Sequence, residues 1–204
     1  MPRVTTVTKA RKVQGRCSTC GAEIQAGESY KHASKRTSHY SSLRMVWCAN
    51  CHPRASQLAS GHTADLYAVM EGAEAELQAS NLHPEGVRDA LTSAAEGIKS
   101  VAEEYTEGSQ NIVEGFGHPT SQTEEMDEKA QALTDFGDTL ENAASDLQTV
   151  ASEYEELQTE LAELSNIDPD EGESQRIDEI GERLEAIVEE ATEAAQEALD
   201  ESSF

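Results

Sequence analysis

CSTCGAEIQAGESYKHASKRTSHYSSLRMVWCANC, residues 17–51, holds all four cysteines of this 204-residue chain, as two pairs at its ends: Cys17-Ser18-Thr19-Cys20 and Cys48-Ala49-Asn50-Cys51. Two residues between the cysteines of a pair let the backbone turn tightly and aim both sulfurs at one point. Gly21, after the first pair, relieves that turn, and neighbouring amides can donate to the sulfurs. The interval 21–47 is long enough for a β-hairpin to leave the first knuckle and return to the second. Tyr30, Tyr40, Val46 and Trp47 supply β-propensity, and the turn is expected among residues 35–42. Pro53 ends the second knuckle. Tight pairs in a chain without an apolar export signal favour a metal over disulfides. Cys17, Cys20, Cys48 and Cys51 are thus the predicted ligands of a structural Zn2+. A pair of redox-active or disulfide-forming motifs and a rubredoxin-like iron site are the alternatives.

The charge around this module is divided. Residues 1–62 carry ten Lys/Arg against two Glu, a net of +8, whereas residues 63–204 carry five Lys/Arg against 38 Asp/Glu, a net of −33. The whole-chain charge of −25 conceals the division. A high-salt environment could account for an acidic surface, but it would not keep the head basic; an anionic partner is the simplest cause. Candidate contact residues are Lys9, Arg11, Lys12 and Arg16 from the start of the chain, and Lys31, Lys35, Arg36, Tyr40 and Arg44 from the hairpin. Basic groups neutralise phosphates and aromatic faces stack on unpaired bases, so this interleaving suits nucleic acid. The same cations suit an acidic protein surface, including helices like those of this chain. Tyr30 and Trp47 can equally be the core of a module with few other large apolar groups. His32, His39 and His52 read as surface groups or supports of the metal site, because four cysteines already complete a ligand set.

Residues 1–14 alternate β-branched and basic residues and read as an arm or first strand, 15–62 as the cysteine module, and 63–204 as an acidic helical region. Helices are expected at about 63–80, 85–114, 121–165 and 173–201. Thr63 is a plausible N-cap, and Pro84 breaks the first helix. In the second, Val87, Leu91, Ala94, Ile98, Val101, Tyr105 and Ile112 follow a heptad; Gly115, Gly117 and Pro119 stop it. Ser121 and Glu124 offer a capping box to the third, whose line runs from Met126 and Leu133 through Leu140, Ala143, Leu147 and Val150 to Leu164. The fourth, capped by Asp170 and Glu173, repeats the alternation at Ile177, Ile180, Leu184, Ile187, Ala191, Ala194 and Ala198. Short connections favour antiparallel neighbours, a long central helix with two shorter ones folded back; an oligomer through the long helix is the other arrangement. The fold class is a small β zinc ribbon followed by an all-α antiparallel helical bundle or coiled coil.

The two knuckles with their intervening hairpin resemble the zinc-ribbon family. Cys48-Ala49-Asn50-Cys51-His52 resembles the last knuckle of zinc-bearing HNH nucleases, but the interval 21–47 lacks the Asp that this family pairs with its His base. The basic start, the Cys-x-x-Cys-Gly knuckle with Gly27-Glu28-Ser29-Tyr30, and Pro53-Arg54-Ala55-Ser56-Gln57-Leu58 resemble small zinc-ribbon-plus-helix proteins of tailed viruses and mobile elements. That resemblance implies a viral or intracellular accessory protein and brings no catalytic residues. Asp168, Asp170 and Glu179 match part of a calcium loop that fails at Gly172 and Glu173, so a helix-cap loop is expected there. No phosphate loop or nucleophile elbow is present. The expected function is a non-enzymatic zinc-binding adaptor. Residues 1–62 contact nucleic acid or an acidic protein surface, and residues 85–201 self-associate or bind a partner protein. An assembly component, such as a virion protein, is the alternative. No membrane partner is expected, and the expected location is intracellular or virion-associated rather than secreted.

Overall fold

A computed structural model describes residues 2–36, 41–79, 83–165 and 171–201. The chain forms two compact units, Met1–Ala68 and Val69–Phe204. In the first, β1 (Thr5–Val7), β2 (Gly15–Arg16), β3 (Glu23–Ile24), β4 (Tyr30–Arg36) and β5 (Ser42–Cys48) precede a one-turn helix, α1 (Ala55–Leu58). β4 and β5 form the expected hairpin, in register from Tyr30 opposite Cys48 to Arg36 opposite Ser42. Its turn falls largely outside the described residues. β1 adds antiparallel to β4, pairing Val7 with Tyr30, so the start of the chain is an edge strand of the sheet. β2 and β3 make a second, two-stranded sheet, with the first cysteine pair between them. Ala10, Cys17, Ile24, Tyr30, Ala33, Val46 and Trp47 form the core of this unit. Val46 and Trp47 are adjacent and both buried, so both faces of β5 are covered where it reaches Cys48.

The second unit is helical. α2 (His62–Ala79) crosses the boundary between the units; α3 (Pro84–Phe116), α4 (Ser121–Leu164) and α5 (Glu171–Asp200) follow. Along α3 and α4, His83 meets Tyr154, Arg88 meets Gln148, Lys99 meets Asp138 and Glu141, and Ser109 meets Thr123. One number rises as the other falls, so these helices are antiparallel. Glu153 with Arg183 and Glu160 with Arg176 show the same for α4 and α5. α5 also touches α3, so the 44-residue α4 has two shorter partners folded back against it. Leu91, Ile98, Leu133, Leu140, Ile180 and Ile187 are its largest fully enclosed aliphatic side chains. Many other buried positions are Ala, which lets the helices approach closely but buries little apolar area per layer. The approach is close at Gly97, where an added Cβ would lie 2.9 Å from both methyls of Val69 on α2.

The tail has five Lys/Arg residues, and four of them bridge helices. Arg88 and Lys99 span α3 and α4, while Arg176 and Arg183 each hold a carboxylate of α4 through two nitrogens. These contacts are solvated, so each contributes little to stability. They favour this register, because each sets a cation of one helix against a polar or acidic group of its neighbour.

Three local expectations are corrected. Thr63 lies inside α2 and is not its cap; Gly61 turns the chain in the left-handed region and accepts from the Ala64 N–H. The α4 capping box sits one residue earlier than Ser121 and Glu124: Thr120 accepts from the Thr123 N–H, and the Thr123 hydroxyl oxygen accepts from the Thr120 N–H. Threonine side chains are short enough to close both bonds at that spacing, and threonine is among the residues favoured as N-caps. The buried stripes also leave a strict heptad line. Ala144, Ala151 and Ala195 are buried, whereas Ala143 and Val150 are half-buried and Ala194 is exposed. A straight helix drifts about 20° per heptad, so burial passes to the neighbouring position. Pro84 takes the first position of α3, where a missing N–H costs nothing, and His83 caps it by accepting from Glu85. Asp170 lies outside the described residues.

Candidate metal centre

The hairpin register sets the cysteine geometry. Ser18 N–H donates to the Val46 carbonyl at 2.8 Å, fastening the first knuckle to the end of β5, from which the second knuckle departs. Within the first knuckle, the Gly21 N–H donates to the Cys17 carbonyl while Gly21 takes φ +72°, a region that a Cβ would strain. Within the second, the Cys51 N–H closes on the Cys48 carbonyl. The four sulfurs of Cys17, Cys20, Cys48 and Cys51 therefore lie within 4.8 Å of one another, as free thiols. The Cys20–Cys48 separation is 3.9 Å. Sulfurs about 2.3 Å from one tetrahedral ion would be about 3.8 Å apart, so the arrangement fits a metal ion and needs no further ligand. Among the described residues, no histidine belongs to this four-sulfur cluster.

Burial pushes Cys17 up, but the backbone N–H groups of Cys20, Cys48 and Thr19, with the Cys20 thiol, outweigh it and bring Cys17 down to about 6. Hydrogen bonds with the Cys48 and Cys20 sulfurs come first in pushing Cys51 up to about 12, followed by burial and the Cys17 charge. One thiolate forms readily and the last resists; a dication removes that conflict by favouring all four in the charged form.

Two supports of the site were not recognised from sequence. The Lys31 ammonium donates to the carbonyls of Ala49 and Cys51 at 3.1 and 2.9 Å, bracing the second knuckle from β4. Gln57 in α1 ties three segments together: its Oε1 accepts from the Trp47 indole and the Arg54 N–H, and its Nε2 donates to the Ser18 carbonyl. The available signal was a polar residue in the short helix immediately after the second knuckle. Replacing Gln57 with Ala leaves the N–H of the fully buried Trp47 without its partner, at a cost of about 1–3 kcal/mol. Tryptophan fluorescence during denaturant unfolding should show a lower midpoint for Gln57→Ala; an unchanged midpoint would refute the role.

The candidate contact residues fall in different places. Lys9, Arg11, Lys12 and Arg44 line one concavity of about 480 Å3, with Gln14 and Tyr30. Lys35 and Arg36 border a separate hollow beside Leu58 and Ser60. Arg16 is exposed on β2, Lys31 serves the second knuckle, and Tyr40 lies outside the described residues. Of the described rings expected to stack on bases, Trp47 is enclosed and Tyr30 is 6% exposed, because they make the core of the unit. His32 lies beside Tyr30, with ring centroids 5.8 Å apart.

Among the described residues, no helix is long and apolar enough to cross a membrane. Comparison with protein-family models, curated proteins and solved structures finds no match for this chain.

Proposed function

We propose that this chain is a non-enzymatic adaptor. Structural zinc holds a basic head that engages an anionic partner, nucleic acid or an acidic protein surface, and the acidic helical bundle serves assembly. The observation that carries this reading is the junction of the two knuckles, with four sulfurs inside 4.8 Å. Four thiolates fill a tetrahedral sphere and leave no position for water or substrate, which suits a structural ion rather than a catalytic one. Zinc fits the all-sulfur set and the compact turns on which it sits. The basic concavity supports the polyanion contact, and the likeness to tailed-virus zinc-ribbon proteins supports an accessory role.

Retention of the zinc-loaded full chain on immobilised heparin tests this reading. With a net charge of −25, a chain whose cations were evenly dispersed would be repelled. Retention at about 50 mM salt, with release as salt rises past a few hundred millimolar, is expected. Flow-through at low salt, or one-to-one zinc binding being absent by metal analysis, would count against the adaptor.

A further inference from the structure

We infer that the concavity formed by Lys9, Arg11, Lys12 and Arg44 is a phosphodiester-binding groove for double-stranded nucleic acid, one that grips the backbone without reading or stacking on bases. This rests on the adaptor reading and specifies its partner. The cations converge from two parts of the chain, the turn region after β1 and the middle of β5, and no Asp or Glu lines the hollow between them. The two carboxylates of the head are engaged elsewhere: Glu28 accepts from the Gln25 N–H and Glu23 from its side-chain amide. Arg44 is also held in place, because one guanidinium nitrogen donates to both Gln14 Oε1 and Tyr30 Oη, at 3.2 and 3.1 Å. A fixed, planar guanidinium meets phosphate oxygens with less loss of side-chain freedom than a mobile one.

Among the described residues, the burial of the rings favours a duplex over a single strand. Single strands are held largely by stacking of unpaired bases on exposed aromatic faces. Tyr30 lines this hollow but is buried in the core of the unit, and Trp47 is enclosed. What the groove offers is charge and guanidinium hydrogen bonds. These fit phosphates spaced along a duplex and carry no base information.

The test is fluorescence anisotropy of the zinc-loaded full chain with DNA and RNA duplexes of about 20 base pairs, of two unrelated sequences, over a range of salt. Binding should be indifferent to sequence, with log affinity falling against log salt at a slope of about −3 to −4, as four phosphate contacts require. The DNA and RNA arms separate the two sources of the same backbone chemistry. Lys9→Gln/Lys12→Gln should lower the slope by about two and weaken binding at about 100 mM salt by one to two orders of magnitude. Arg3→Gln/Arg54→Gln, which removes equal charge outside the groove, should keep the slope. Zinc content and Trp47 emission confirm that both variants are folded. Wild-type slope and affinity in the groove variant would overturn the inference while leaving the adaptor intact. Binding to polyglutamate and to neither duplex would also overturn it, replacing phosphate with a protein carboxylate surface. Failure to bind any of these polyanions would remove the adaptor reading as well.

Discussion

Withdrawing the metal should unfold the head and leave the helices standing. The first unit has a core of seven buried residues, two of which are Ala and one the ligand Cys17. A core of that size cannot offset the ordering entropy of some sixty residues without a cross-link. A structural zinc ion contributes an apparent 10–16 kcal/mol or so in small domains of this kind. Chelation, or Cys48→Ser, should therefore release the sole tryptophan, Trp47, from a fully enclosed site to water and shift its emission to the red. The far-UV helical signal should persist, because the bundle core draws on Val87 to Leu199 and contains no cysteine. Acid should act in the same direction. Below about pH 12 loading must displace the proton of Cys51, and below about pH 6 that of Cys17 as well, so affinity falls more steeply on the acid side of pH 6. A head that keeps its blue-shifted tryptophan emission with no bound metal, at any pH, would rule out this account.

Leu140→Ala should cost the bundle about 2–5 kcal/mol, the range for a fully enclosed leucine whose cavity cannot collapse. Leu140 lies on α4 between Asp138 and Glu141, the two carboxylates that grip Lys99, so it occupies the seam between α4 and α3. Its neighbours in the stripe, Phe136 and Ala144, are themselves buried and fixed by the same seam. Little around it can move inward. The small Ala-rich layers elsewhere have no surplus of apolar area with which to compensate. Thermal unfolding followed by the helical signal should show the loss directly. Added salt should recover part of it, because screening relieves the repulsion among 38 carboxylates more than it weakens the few seam bridges. A melting temperature unchanged by Leu140→Ala would mean that this seam is not the core of the bundle.

The clustering of the four cysteines was legible because its geometry is local: a two-residue spacer aims two sulfurs whatever the rest of the chain does. The hairpin between the pairs and the four helices were legible for a similar reason, since β-propensity, proline breaks and a period near 3.5 act over a few residues. What failed at close range failed by single positions. Thr120 and Thr123 took the cap from Ser121 and Glu124, and Ala195 took the buried place of Ala194, because helix phase accumulates over turns that a short window does not count.

Tertiary structure decided what each polar and aromatic side chain does. From sequence alone, Lys31 and Arg44 are equivalent cations on one hairpin, and Tyr30 and Trp47 are equivalent stacking rings. Folding sends Lys31 beneath the second knuckle, holds Arg44 in an open groove beside residues more than thirty positions earlier, and closes both rings into the core. It likewise chose the folded-back bundle, by setting Lys99, Arg176 and Arg183 opposite particular carboxylates and Arg88 opposite Gln148. Which elements form, and which atoms could bind a metal, depend on neighbours along the chain and can be read there. Which charges remain open to a partner depends on long-range contacts that consume some side chains and leave others exposed.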